Sequence, residues 1–167
     1  MNKFDRYYTS KKLSVNKALI KKYGTYHCDR YNTYYGQVFD GRDFALITNS
    51  YSIIATDNIS ADYEKFDDSM NNKLIEFFNN FNNRDVYKYK DSISLDTIKN
   101  GMDEDEIYKF DSVYGVGYQQ LKKIIAIIGC IKINILEKEL FKGEKQPVIE
   151  VIGKNGCVGY LLPVRTY

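Results

Sequence analysis

A chain of 167 residues has the size of one domain and can bury a substantial core. Its 44% hydrophobic content excludes global disorder, and no apolar run reaches the length of a membrane span. The net charge of +2 hides a division along the chain. Residues 1–36 hold eight basic and two acidic side chains, a net +6, and residues 37–54 a net −1. Residues 55–111 hold seven basic and fourteen acidic side chains, a net −7, and residues 112–167 eight and four, a net +4. Such asymmetry can mark a surface that meets a polyanion; solvated lysines on helix faces give the same tally.

The N-terminal residues Met1 to Arg6 lack the apolar core of a signal peptide. Cys28, Cys130 and Cys157 are odd in number and have no metal-type spacing. Two of them sit inside apolar runs, where a thiol acts as a small hydrophobe. These features predict a reduced, cytoplasmic protein.

Ser14–Tyr23 reads as a helix, capped by Ser14 and stopped by Gly24. Val15, Ala18 and Leu19 share one face, and Lys17, Lys21 and Lys22 point elsewhere. Strands are predicted at Tyr26–Asp29, Gly36–Phe39, Phe44–Thr48 and Tyr51–Ala55. A hairpin turn falls at Asp40 to Arg42, and a turn or bulge at Thr48 to Ser50.

Met70, Leu74, Phe77, Phe78 and Phe81 recur at helical spacing, although the asparagines around them are poor helix formers. Ser94–Asn100 fits a short capped helix with Gly101 after it, and Ile107–Val113 a strand. Tyr118–Ile128 reads as another helix. Leu121, Ile124, Ile125 and Ile128 form its apolar face, Lys122 and Lys123 its polar one, and Gly129 ends it. Strands follow at Ile131–Leu136, Val148–Ile152 and Val158–Leu162, the last two around Lys154, Asn155 and Gly156. Asn-Gly between β-branched runs is a strong hairpin signal, because a tight turn needs positive φ at its centre.

Both ends of the chain thus read as helix, glycine stop, then strands with a hairpin, a weak internal repeat. Two such units can set their helices side by side on one face of a curved antiparallel sheet. The segment at about 57–106 interrupts the scheme and reads as an insert.

Catalytic chemistry is sparse. His27 is the one histidine, and its neighbour Cys28 would point to the opposite face of a strand. No phosphate loop or nucleotide-binding glycine pattern occurs. Asp57, Asp62, Asp67 and Asp68 match no ordered cation loop and read as a solvated acidic stretch. We therefore expect no enzyme, no cofactor and no metal. Lys17, Lys21, Lys22, Lys122 and Lys123 are the candidate contacts to duplex DNA, meeting phosphates without reading bases.

Three segments carry a family resemblance: Phe44 to Ile54, Gly115 to Ile125, and Tyr160 to Arg165. In that order they resemble the bacterial DNA polymerase sliding clamp, the last segment matching the end of its final domain. With the first helix they span residues 12–56 and 107–167. The family's Asp-Gly turn is Asn49-Ser50 here. The resemblance implies a single clamp-like α+β domain over 1–167 and a role in DNA replication, in a protein of phage or mobile-element origin. It also implies a peptide site for replication proteins at Tyr160, Leu162, Pro163, Val164 and Arg165. A clamp ring needs several such domains, so one bulky domain is expected as a monomer or weak dimer. The other reading is a module that uses a clamp-like scaffold to bind or block a host protein, with the insert as its working surface.

Overall fold

The structure, a computed structural model, describes residues 32–38, 42–48, 51–56, 68–100, 106–153 and 157–166. The expected helix 14–23, the strand 26–29, His27 and Cys28 lie outside them, as do Asp57, Asp62 and Asp67.

The fold is α+β, with antiparallel sheets and few helices. The first three strands form a meander: β1 (Asn32–Val38), β2 (Arg42–Thr48) and β3 (Ser52–Thr56). The Thr48 hydroxyl donates to the Ser52 carbonyl at 2.7 Å and ties the β2–β3 connection. α1 (Asp68–Asn82), β4 (Lys88–Ile93) and α2 (Leu95–Asn100) follow. β5 (Ile107–Lys109) and β6 (Tyr114–Gly117) form a small hairpin, and β6 runs straight into α3 (Tyr118–Ile128). The second meander is β7 (Cys130–Glu139), β8 (Lys145–Gly153) and β9 (Val158–Leu161), with a short 3-10 turn at Phe141–Gly143. β10 (Val164–Arg165) ends the described chain.

The seven-stranded sheet has the order β1-β2-β3-β9-β8-β7-β4. Its two meanders meet through their last strands, Ser52 opposite Leu161 and Ile54 opposite Gly159. The order of the two meanders is symmetric about the β3–β9 seam, and β4 extends one side only. A second sheet has the order β10-β6-β5.

Alternation along the strands gives the large sheet two buried faces. Ile54, Ile133, Ile135, Ile149, Val151 and Leu161 point toward α3 and meet Leu121, Ile124, Ile127 and Ile128. Their sequence neighbours Ile53, Leu136, Val148 and Tyr160 point the other way and meet Phe78 and Phe81 of α1. α1 and α3 thus cover opposite faces of the sheet. The pair expected on one face was 14–23 with 118–128, and its first member lies outside the described residues.

The stretch expected as an insert is built into this sheet. β4 pairs with β7 as its edge strand, Lys88 opposite Glu137 and Ile93 opposite Ile133. β4 leaves little trace in the sequence, because its residues are exposed except Ile93 and it shows no apolar alternation. α1 forms despite its asparagines, because burial of Phe78 and Phe81 outweighs local propensity.

The strand expected over Ile107–Val113 breaks instead into β5 and β6. Asp111 causes the break: its carboxylate accepts from the Val113 and Tyr114 amides at 2.7 and 2.6 Å, making a side-chain turn. The expected helix stop at Gly129 is present. Gly129 takes φ 66° and ψ 54°, and its N–H bonds the Ile125 carbonyl. Glycine is also required at Gly153, where an added Cβ would stand 2.6 Å from the Ile128 carbonyl oxygen. That close approach seats the end of α3 on the β8–β9 hairpin.

Candidate functional site

Of the five lysines expected to meet DNA, Lys17, Lys21 and Lys22 lie outside the described residues. Lys122 is half-buried on α3. Lys123 is 9% exposed, so it does not belong to an open polar face. α3 contacts β6 and α2 as well as the sheet, and more than one stripe of its circumference is covered. A lysine this buried is not presented to a phosphate backbone, which corrects its expected role.

The expected peptide-binding tail is likewise divided by the fold. Tyr160 is buried at 1% exposure inside the α1-side core, so it offers no surface to a peptide. Leu162 is 39% exposed, and its N–H bonds the Tyr51 carbonyl at 2.8 Å. Pro163 and Val164 are half-buried, and Arg165 is exposed with its guanidinium 5.8 Å from the centre of the Tyr114 ring. Val164 and Arg165 pair with Gly115 and Tyr114. The tail is therefore a strand of the small sheet, not one wall of an open pocket.

The strongest cluster of chemistry-bearing groups was not foreseen. Glu150 lies in the middle of β8, 1% exposed. Its carboxylate accepts from Asn134 Nδ2 at 2.9 Å and lies 3.1 Å from the Tyr160 hydroxyl. It also pairs with the Arg84 guanidinium. Arg84 donates in addition to the Phe81 carbonyl at 2.8 Å, at the C-terminal end of α1 where a cation is favoured. The Tyr160 hydroxyl reaches Asn82 Oδ1 at 2.9 Å. On the other side, Ser92 Oγ donates to Asn134 Oδ1 at 3.2 Å and stands 3.0 Å from the Tyr89 hydroxyl. A polar chain thus runs from the edge strand β4, through the sheet's centre, to the end of α1. Donors surround both oxygens of Glu150, which makes it a fixed anchor rather than a free base.

A second charged cluster lines an open groove of about 500 Å3 beside Lys88, Tyr89, Lys90, Glu137, Lys138 and Lys145. Lys90 Nζ lies 2.7 Å from Glu137 and 3.5 Å from Asp111, and Lys145 Nζ lies 2.8 Å from Glu137. The hydrogen bond to Glu137 pushes the Lys90 ammonium pKa up. Burial alone would raise the Glu137 carboxyl, but Lys145 and Lys90 outweigh it and hold it below the usual range. Asp111 behaves alike, the Val113 and Tyr114 amides and Lys90 overcoming its burial.

A carboxyl whose folded pKa is depressed stabilises the fold above its unfolded pKa of about 4, and loses that contribution as pH falls through the folded value. The urea midpoint is therefore expected to be flat from about pH 7 to 5 and to fall toward pH 3. Asp111→Asn should flatten part of that fall. An Asp111→Asn profile as steep as the parent's would remove Asp111 from the account.

The two described cysteines carry no reactive thiol. Burial pushes the Cys130 thiol up to about 11, and buried Cys157 donates to the Ala55 carbonyl at 3.1 Å. Among the described residues no helix is long and apolar enough to cross a membrane. The most exposed large hydrophobic side chain among the described residues is Phe141, 86% exposed, in the turn between β7 and β8.

Comparison with protein-family models, curated proteins and solved structures found no match.

Proposed function

We propose that this chain is a non-enzymatic, clamp-like protein that associates with duplex DNA without reading its sequence. The observation that carries the reading is the pair of three-stranded meanders joined last strand to last strand. That is the arrangement expected of two repeated helix–strand units. The basic N-terminal segment and the basic last third, residues 112–167, supply the charge such contacts need.

A monomer or weak dimer is the matching assembly. The edge strand β4 carries Lys88 and Lys90, and its register shifts at Lys90 between Tyr89 and Asp91. Edge lysines and a bulge discourage strand addition from another chain. Light scattering during size exclusion tests this; a stable ring of several chains would overturn it.

The DNA reading predicts a linear loss of log affinity with log salt for a random-sequence duplex. Joint alanine replacement of Lys17, Lys21, Lys22 and Lys122 should reduce that slope by about 3 to 4. Lys123→Ala should leave the slope unchanged, because the side chain is buried. Fluorescence anisotropy measures both.

Absence of duplex binding at about 50 mM salt would sink the DNA reading. It would favour the second one, a protein-interaction module. Phe141 is the observation on that side: an aromatic ring held in water on a hairpin turn is a contact surface without a folded-state use.

A further inference from the structure

We propose that the groove beside the edge strand β4 is a site for nucleotide units with unpaired bases, their phosphates on its lysines and a base on the Tyr89 ring. The site is separate from any contact to a duplex, because a base stacked and paired in a duplex has no free face.

The cations of the groove are set in advance. Glu137 is 13% exposed and holds Lys90 at 2.7 Å and Lys145 at 2.8 Å. One carboxylate thereby fixes two ammonium groups close together. Fixing a lysine before a ligand arrives removes part of the rotamer entropy that binding would otherwise cost. An ammonium has three donors, so both lysines keep capacity for a phosphate oxygen. Lys88, opposite Glu137 across the β4–β7 pair, and Lys138 line the same groove. Neither has an ion-pair partner among the described residues. Asp85 and Glu139 also line it, so lysines outnumber carboxylates by four to three. Glu137 is already shared by two ammonium groups, and its charge does little to repel an entering phosphate.

The Tyr89 ring is the second, independent feature. It is 59% exposed and lines the groove. Its hydroxyl lies 3.0 Å from Ser92 Oγ, which bonds Asn134, which in turn bonds Glu150. The polar chain from the centre of the sheet thus ends on this ring and holds it. No ring stacks on Tyr89 among the described residues. A fixed and unused aromatic face among lysines is what a stacking platform for an unpaired base requires. Lys88 and Lys90 flank it in sequence. A bare phosphate would need only the lysines; the ring is what selects a base.

The test uses the full-length chain at about 50 mM salt. The probe is a fluorescein-labelled oligothymidylate of about 12 nucleotides, within the range of single-strand site sizes. Saturable binding is expected by anisotropy. Tyr89→Ala should weaken it roughly ten-fold with the salt slope unchanged, and Tyr89→Phe should keep it, since the ring remains. Joint Lys88→Ala and Lys138→Ala replacement should lower the slope by about 1.4. An oligomer of the same length without bases should bind roughly ten-fold more weakly. Any duplex binding should be the same for Tyr89→Ala and the parent. Displacement of the strand by submillimolar thymidine monophosphate would assign the site to free nucleotides, and persistence of the strand would assign it to single strands. The proposal is overturned if neither strand nor monophosphate binds saturably. Equal binding by Tyr89→Ala, or of the oligomer without bases, overturns it too. Should Tyr89→Ala fail to fold, the oligomer without bases decides on the unsubstituted chain alone.

Discussion

Arg84→Ala is expected to lower the unfolding free energy by about 3–5 kcal/mol. The change leaves Glu150 as a carboxylate at 1% exposure with only neutral donors, Asn134 and Tyr160, beside it. Arg84 is 20% exposed, so it already has one side in water, whereas Glu150 has no path to solvent. Losing the arginine is therefore worse than losing the glutamate, and Glu150→Gln should cost less. The midpoint of thermal unfolding should fall by roughly 10 °C. Replacing both partners with apolar residues, Arg84→Met with Glu150→Leu, should recover much of the loss, because no buried charge then remains. Urea denaturation of the single and double variants measures the coupling. A double variant no more stable than Arg84→Ala would mean that the pair is not the anchor its geometry implies.

Phe78→Ala should be nearly as damaging, at about 3–5 kcal/mol. Phe78 is fully buried, and its ring meets the edge of Tyr160 with centroids 5.6 Å apart. Tyr160 in turn joins Phe81 at 5.4 Å and the Glu150 network. Truncation would open a cavity under α1 and loosen the ring that holds the buried hydroxyl. The size of the effect also separates two pictures of residues 57–106. A loosely attached insert would lose a phenylalanine for less than about 1 kcal/mol, as surface changes do. A loss that small would mean that α1 is not part of the cooperative unit.

The α3 helix and the strands around it were legible because their signals are local. Leu121, Ile124 and Ile128 repeat at helical spacing, Gly129 supplies the positive φ that ends the helix, and β-branched runs flank the last hairpin. The α1 stripe was equally legible, from Met70 to Phe81. The β2–β3 connection near Thr48 was too, since its residues interact across only four positions.

The candidate site depended on distance. Arg84 and Glu150 are separated by 66 positions, Asn82 and Tyr160 by 78, and only the register of β7, β8 and β9 brings them together. The same register decides which face each residue takes, because a strand alternates with period two. It sends Tyr160 inward to α1, although the family resemblance implied a peptide site there. It also makes polar β4 a member of the main sheet through β7, a pairing that no pattern within Lys88–Ile93 announces. Lys123 shows the limit from the other side. Helical spacing places it beside Lys122, but packing around α3 covers one lysine and leaves the other half-open. Periodicity assigns residues to stripes; how wide a stripe is covered depends on the neighbouring elements, and those are set by contacts between distant parts of the chain.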